Sequence, residues 1–377
     1  LGLAGLRDAA SRQVRFILRP EGAGAQQLLL ALLKREGLAL TALQKSTFVP
    51  TGPDIAQAIR ADQGNKGALL AMAELKRRVA DDRAAGSFYR LALGTAAQAR
   101  GIPPALHSGL QRAEQFLAAT DRAFADHLLG QLRSAGIDAG SATPRVAEAL
   151  RMLAGEQPLY LQQPSMFYFP GLTQRPFFER ADFEWATAIE AATGAIRAEL
   201  QALIDNASDR FGPYVTADPD RPPPNNPLLD KPDWGAAWLW KNGVIADGMA
   251  TLCPATLAEL ELAPQPAIPG RAPLALFSRL TPGTHIQPHH GMLNTRLICH
   301  LPLIVPDGCG LRVGAETRIW REGELLIFDD SFEHEAWNRG TSDRTILLFE
   351  IWRPDIDADE RQQLTRIFAA IDSYAEQ

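Results

Sequence analysis

The last third of this 377-residue chain consists of short apolar segments that are separated by closely spaced turns. Pro306-Asp307-Gly308 and Arg321-Glu322-Gly323 are typical turn sequences, because Gly, Pro and Asp favour turn backbone angles. Six segments have strand character: 274–280, 296–305, 311–313, 317–320, 324–328 and 345–352. So many strands in about 80 residues predict a sandwich or barrel and argue against a βαβ fold.

The first part of the chain has helical rather than strand periodicity. Apolar residues recur at helical spacing in 26–36, in 65–82 and after Thr120. Thr143 and Pro144 are typical of a helix N-cap and first turn, and Gly155 of the C-terminal end. We therefore predict an α+β protein, with a helical domain over 1–155 and a β-rich domain over 156–377.

Three further segments of the second domain are assigned from composition. Residues 182–205 are predicted to form a helix, and 357–373 a closing amphipathic helix. Between them, 218–232 is rich in proline, including three consecutive prolines, and cannot be regular helix. Long loops of this kind often act as lids or binding loops.

Charge and cysteine content exclude several classes of function. The net charge is −6 and no block of Lys or Arg occurs, which argues against a nucleic-acid partner. The three cysteines are odd in number and form no Cys-x-x-Cys pair, which favours a reducing compartment. No apolar run approaches the roughly 20 residues of a transmembrane helix. We expect a cytoplasmic protein; because the chain does not begin with Met, an upstream segment is compatible with the sequence.

Histidine is concentrated in the predicted β-domain. Four of the seven histidines lie between His285 and His300, and His334 follows in the same domain. His289 lies just before the predicted strand 296–305, and His334 lies after the predicted strand 324–328. In a jelly roll two such positions can meet at the open end of the barrel, and imidazole is a common ligand of borderline metals. The alternative is that these are surface or satisfied core histidines. A zinc site would need His285 or His290 as a further ligand.

Two arginines each share one face of a predicted strand with other residues of interest. Arg344 shares its face with Ile346, Leu348 and Glu350. A guanidinium inside a barrel is costly unless it meets an anion, which a dicarboxylate would supply through a bidentate pair. On the strand 296–305, Arg296 likewise shares a face with His300. The alternative is that both faces point to solvent.

The chain resembles the aspartyl/asparaginyl β-hydroxylases over 234–357. The motifs that carry this resemblance are Pro282-Gly283-Thr284-His285-Ile286-Gln287-Pro288-His289-His290-Gly291, then Asn294, Arg296, Leu297, His300 and Leu301, and Phe328-Asp329-Asp330-Ser331-Phe332-Glu333-His334-Glu335. The resemblance implies a double-stranded β-helix, or jelly roll. It also implies an Fe(II)- and 2-oxoglutarate-dependent dioxygenase that uses O2.

The resemblance also implies a role for each matching residue. His289 and His334 would bind Fe(II), with Gly291 where most such oxygenases carry a carboxylate. Ser278 and Arg344 would hold the distal carboxylate of 2-oxoglutarate. His300 would lie at the cosubstrate end of the pocket, and Arg296 would face an acidic substrate side chain.

One position departs from the family pattern. Ile298 stands where the animal enzyme has an arginine, so a salt-bridge partner of a substrate carboxylate is missing. We predict a hydroxylase of an Asp- or Asn-type residue in a peptide or protein, which the helical N-terminal domain would dock. A lipid or small-molecule hydroxylase, and a non-enzymatic module that binds an acidic ligand, stay open as alternatives.

Overall fold

The computed structural model describes residues 52–137, 141–220 and 222–375. It divides the chain into two compact units, one ending at Gln157 and the other beginning at Pro158. The boundary that we expected after residue 155 stays a prediction. The predicted helical segment 26–36 lies outside the described residues.

The first unit is helical where it is described. Its helices are α1 (Gly52–Ala61), α2 (Lys66–Arg78), α3 (Asp82–Ala97), α4 (Pro104–Ser134) and α5 (Pro144–Leu153). The helix predicted over 65–82 ends four residues early, because Ala80 has a φ of 58° and Asp81 caps α3. Asn65 caps α2 through its side chain, and Gly155 follows α5 with a φ of 74°. The segment expected to begin at Thr120 is the second half of α4, so that predicted start was wrong.

The second unit is a jelly roll with helices on one face, which confirms the predicted α+β class. Its strands are β1 (Phe177–Phe178), β2 (Gly212–Pro213), β3 (Trp234–Lys241), β4 (Val244–Ile245), β5 (Ala275–Leu280), β6 (His285–His289), β7 (Arg296–Ile304), β8 (Cys309–Val313), β9 (Glu316–Arg318), β10 (Leu326–Phe328), β11 (His334–Asn338) and β12 (Arg344–Trp352). The large sheet has the order β1-β10-β7-β12-β5-β3-β2, with β4 beside β3, and the small sheet has the order β6-β11-β8-β9.

Helices cover the outer face of the large sheet. They are α6 (Ala186–Ala191), α7 (Thr193–Asn206), α8 (Met249–Leu252) and α9 (Pro254–Leu260), whereas the closing helix α10 (Ala358–Ala375) packs in a separate cluster with Leu172, Ile268 and Trp352. The single helix expected over 182–205 is instead a 3-10 turn followed by α6 and α7, with Ala192 between them. The closing helix agrees with the one predicted over 357–373.

Strand β12 explains how the barrel interior is set apart from the helix-covered face. Leu347, Phe349 and Ile351 pack in the core cluster that includes residues of α6, α7 and α9. Ile346 and Leu348 point the other way, into the core between the two sheets. Both faces are therefore buried, which accounts for the nearly continuous apolar run of this strand. The predicted face shared by Arg344, Ile346 and Leu348 is thus the inner face of the barrel.

Three strands that frame the barrel interior were not predicted. These are β3, β6 and β11. The last two are five residues long and polar, because His, Gln, Glu and Asn occupy most of their positions. A pattern search for apolar alternation misses such strands, although they form the small sheet that closes the barrel.

Candidate active site

A cavity of about 330 Å³ lies inside the barrel, between the two sheets. It is lined by all six residues that the sequence singled out: Ser278, His289, Arg296, His300, His334 and Arg344. Asn225, Asn226 and Pro227 of the proline-rich loop also line it. The loop therefore contributes to the wall of the cavity, as the composition suggested.

His289 and His334 are brought together by strand pairing. They are register partners in the antiparallel pair β6–β11, and their ring centroids lie 4.1 Å apart. The register shifts just after His334, which marks a bulge. Bulges re-aim side chains at functional sites.

The backbone holds both imidazole rings through the same kind of hydrogen bond. Nδ1 of His289 lies 2.8 Å from the carbonyl of Gln287, and Nδ1 of His334 lies 3.0 Å from that of Phe332. A carbonyl only accepts, so each Nδ1 donates, and a ring in its neutral form then keeps a lone pair on Nε2. Burial lowers the pKa of His334 to about 3, so this ring is neutral near pH 7. Two oriented lone pairs on adjacent strands form half of a metal site.

Arg344 lies at another part of the cavity wall and has no acidic partner. Its side chain is 1% exposed, and its Nε and Nη1 atoms have no hydrogen-bond partner. Within the part of the chain that the structure describes, no carboxylate forms an ion pair with it. It stacks over Trp320 at 4.8 Å, and burial lowers its pKa to about 10. A buried guanidinium of this kind is poised for an anion.

Ser278 lies on the strand beside Arg344. Its register partner on β12 is Ile346, two residues after Arg344, so the two side chains share the inner face. The Ser278 hydroxyl accepts a hydrogen bond of 3.2 Å from Nε1 of Trp234, which leaves its own proton free to donate. A hydroxyl and a guanidinium side by side are suited to one carboxylate.

His300 has the opposite proton placement to His289 and His334. Its Nδ1 accepts from Nε1 of Trp320 at 3.3 Å, so its Nε2 carries the proton. Its pKa is well below the ordinary value, mainly because of burial and also because of Arg344 and His334. His300 is therefore a neutral donor rather than a metal ligand, which suits recognition of an anionic ligand.

Arg296 faces the cavity, but its charge is already compensated. Nη1 donates to the Glu350 carboxylate, and Nη2 lies 3.4 Å from Oδ2 of Asp330. Burial alone would lower its pKa, but the two carboxylates raise it above the ordinary value. Its assignment to a substrate carboxylate stays a prediction.

The loop that carries His334 is held by a buried ion pair. Arg353 and Asp329 are both fully buried and paired through Nη1 and Oδ2. Asp329 also accepts from the amide of Gln162 and from the backbone and hydroxyl of Ser331. Arg353 reaches the carbonyl of Thr173 at 2.8 Å. This network fixes the turn between β10 and β11, and hence the start of the strand that begins at His334.

Gly291 is required by close packing next to the histidines. A Cβ at this position would lie 2.2 Å from Oδ2 of Asp330, and the Gly291 amide donates to the Asp330 carbonyl at 2.6 Å. The Asp330 carboxylate thus occupies the space that a side chain at 291 would need. Asp330 itself was part of a motif that the sequence showed, but its role against Gly291 was not predictable from spacing.

We expect Gly291→Ala to displace Asp330 and disturb the adjacent His289. The measurable result is a loss of metal affinity of about 10-fold to 100-fold, the range typical of disturbed outer-shell groups. Titration with Mn(II) measures it. Gly130→Ala is the matched control, since a Cβ there meets nothing within 4 Å. Unchanged metal affinity in Gly291→Ala would show that the packing does not matter.

The remaining histidines of the cluster do not complete a larger metal set. His285 pairs with Glu335 at 2.7 Å on the outer side of the small sheet. Over 52–137, 141–220 and 222–375, no group of three or more His, Cys, Asp or Glu residues is placed to hold a metal ion. The zinc alternative, which needs His285 or His290, is therefore not supported.

All three cysteines are free and buried, as expected from their number. Of the helices in the described ranges, none is both long enough and apolar enough to cross a bilayer.

Comparison with known proteins shows that the barrel is similar to one sequence family. Residues 190–354 match the family model described as Aspartyl/Asparaginyl beta-hydroxylase. The chain is 34% identical over 209 residues to the human aspartyl/asparaginyl beta-hydroxylase, a match covering 54% of this chain and 26% of that protein. It is 34% identical over 219 residues to aspartate beta-hydroxylase domain-containing protein 2 of Xenopus tropicalis, with 55% of each covered.

A bacterial relative has a different kind of name. The chain is 34% identical over 182 residues to the ornithine lipid ester-linked acyl 2-hydroxylase of Rhizobium tropici, covering 48% of this chain and 61% of that protein. The chain thus spans between about a quarter and three-fifths of these curated relatives. Among solved structures, a cupin 2 conserved barrel domain protein from Salinispora arenicola matches with a TM-score of 0.22 and 13% identity, covering 39% of this chain and 95% of that one.

Proposed function

We propose that this chain, whose residues 190–354 belong to the aspartyl/asparaginyl beta-hydroxylase family, is an Fe(II)- and 2-oxoglutarate-dependent hydroxylase. The observation that carries the proposal is the pairing, in one cavity, of a two-histidine half-site with an uncompensated buried arginine. Neither feature stabilises the fold by itself. Together they match a metal and an anionic cosubstrate.

The residues present fit both groups. Two imidazoles with free Nε2 atoms suit a borderline divalent metal such as Fe(II). Arg344 and Ser278 suit the distal carboxylate of 2-oxoglutarate, because a guanidinium binds a carboxylate through two parallel hydrogen bonds. When bound, the iron supplies the oxidation chemistry with O2 and 2-oxoglutarate.

The protein contributes binding, orientation and exclusion of water. The backbone carbonyls of Gln287 and Phe332 hold the two metal-binding rings. His300 carries its proton on Nε2, so this N–H is available to donate to the cosubstrate. The apolar residues Ile346 and Leu348 line the space between, which keeps the interior dry and strengthens each polar contact there.

The substrate is proposed to be a peptide or protein, as expected for an Asp/Asn-type hydroxylase, and docking by the helical unit stays part of this proposal. The relative named as a lipid acyl hydroxylase favours a second candidate, an acyl chain. A non-enzymatic module is less favoured, because it gives no reason for the two oriented histidines. A cytoplasmic location also stays a proposal; the free cysteines support a reducing compartment.

Release of succinate from 2-oxoglutarate tests the proposal. With Fe(II), ascorbate and O2, the wild type is expected to turn over slowly without substrate, and His289→Ala/His334→Ala to lose at least about 100-fold, since both metal ligands are gone. His285→Ala is the matched control, because this ring lies on the same strand but bonds Glu335 outside the cavity. Equal rates in the double variant and the wild type would reject the proposed metal site.

A further inference from the structure

Two carboxyl groups are grouped around Arg296, which lines the cavity. Arg296 is the cation there, and it is paired with both Glu350 and Asp330. Counting one positive against two negative charges leaves a nominal net charge of −1. Glu350 is 2% exposed and Asp330 6%, so solvent screens neither group well; burial raises the pKa of both carboxyl groups, while Arg296 lowers it.

The next inward-facing position on β7, Ile298, is apolar and adds no positive charge. Ile298 lines the cavity between Arg296 and His300 on β7, and its register partner on β12 is Glu350. The apolar side chain of Ile298 therefore lies directly beside Glu350, the carboxylate that pairs with Arg296. A substrate carboxylate entering here would face Asp330, which lines the cavity, and an arginine whose Nη1 and Nη2 already pair with Glu350 and Asp330, at a large desolvation cost.

We propose that Glu350 and Ile298 are specificity-determining residues that disfavour a substrate carboxylate beside Arg296, so that the group presented there for hydroxylation is uncharged. The proposal rests on the proposed hydroxylase function and narrows it: an aspartate-type side chain is rejected, and a carboxamide or an aliphatic group is accepted. Arg296 then acts as an internal counter-ion that holds Asp330 and Glu350.

Two variants that change the local charge by the same amount test the proposal. Glu350→Gln removes one negative charge behind Arg296, and Ile298→Arg adds one positive charge beside Glu350, so each raises the local charge by one. The probes are the capped amino acids N-acetyl-aspartate methylamide and N-acetyl-asparagine methylamide, and phosphatidylcholine vesicles as an acyl source. Binding is measured by titrating each probe into protein that is preloaded with Mn(II) and 2-oxoglutarate. In a separate assay, with Fe(II) in place of Mn(II), the response to each probe is the succinate released.

The wild type is expected to favour the asparagine probe or the vesicles over the aspartate probe by at least about 10-fold. Response to asparagine assigns the uncharged group to a peptide, and response to vesicles alone assigns it to an acyl chain. Glu350→Gln and Ile298→Arg are each expected to raise the response to the aspartate probe at least about 10-fold relative to the wild type. Because the two variants perturb the site differently, poor folding of one leaves the other as the test.

The proposal is overturned if the wild type prefers the aspartate probe. It is also overturned if a folded variant binds Mn(II) and 2-oxoglutarate like the wild type but gains no response to aspartate. Failure of the wild type to bind Mn(II) and 2-oxoglutarate in the preloading step would instead reject the proposed function, so the two failures are distinguishable.

Discussion

Replacing Arg344 with methionine is expected to weaken 2-oxoglutarate binding by about 100-fold, or about 2.7 kcal/mol. The reason is that Arg344 is the buried cation of the cavity that no carboxylate in the described residues compensates. Loss of a charge-assisted, bidentate contact to a carboxylate has this magnitude. Isothermal titration of 2-oxoglutarate in the presence of Mn(II) measures the change.

The same variant should not destabilise the ligand-free protein. Methionine fills much of the same volume and removes a guanidinium that is buried without an acidic partner, so the free energy of unfolding should be unchanged or higher. Arg279→Met is the matched control on the neighbouring strand, since Arg279 lies 3.8 Å from Asp343 and does not line the cavity. Wild-type affinity for 2-oxoglutarate in Arg344→Met would contradict the anchor assignment.

Replacing Arg353 with methionine is expected to have the opposite effect on stability, lowering the free energy of unfolding by about 3–5 kcal/mol. Both Arg353 and Asp329 are fully buried, so the substitution leaves Asp329 as an uncompensated buried charge. The turn that leads to His334 loses its anchor at the same time. Urea denaturation followed by tryptophan fluorescence measures the change.

Two further variants separate the effect of the buried ion pair from that of losing any ion pair. Arg197→Met removes an exposed ion pair with Glu322 and should change stability by less than about 1 kcal/mol. Asp329→Asn/Arg353→Met removes the orphaned charge and should recover part of the loss. If Arg353→Met were as stable as the Arg197→Met control, the buried pair would not be what holds the turn.

The sequence predicted the fold class because this depends on local patterns. Alternation correctly put Arg344 on one face with Ile346 and Leu348, and the structure shows that this face, which the sequence left unassigned, is the inner one. The β-character of the last third, and the closing helix, were likewise readable from apolar spacing. The candidate site residues were drawn from motifs, and the structure brings all six to one cavity, although their roles stay proposals.

The rest depended on contacts between distant segments. The polar strands β6 and β11 carry His289 and His334, but their sequences lack apolar alternation, so only pairing in the sheet defines them. Likewise, no local signal showed that Glu350 compensates Arg296, because the two residues are 54 positions apart. The opposite tautomer of His300 depends on Trp320, which lies 20 residues away, after the end of β9.

The most direct test of the account is anaerobic binding of 2-oxoglutarate to wild type, His289→Ala/His334→Ala and Arg344→Met, each with and without Fe(II). The account predicts tight binding only to the wild type with Fe(II), because the metal and Arg344 hold opposite ends of one molecule. Binding that is equally tight without Fe(II), or in both variants, would contradict the claim that this cavity joins a two-histidine metal site to an arginine anchor.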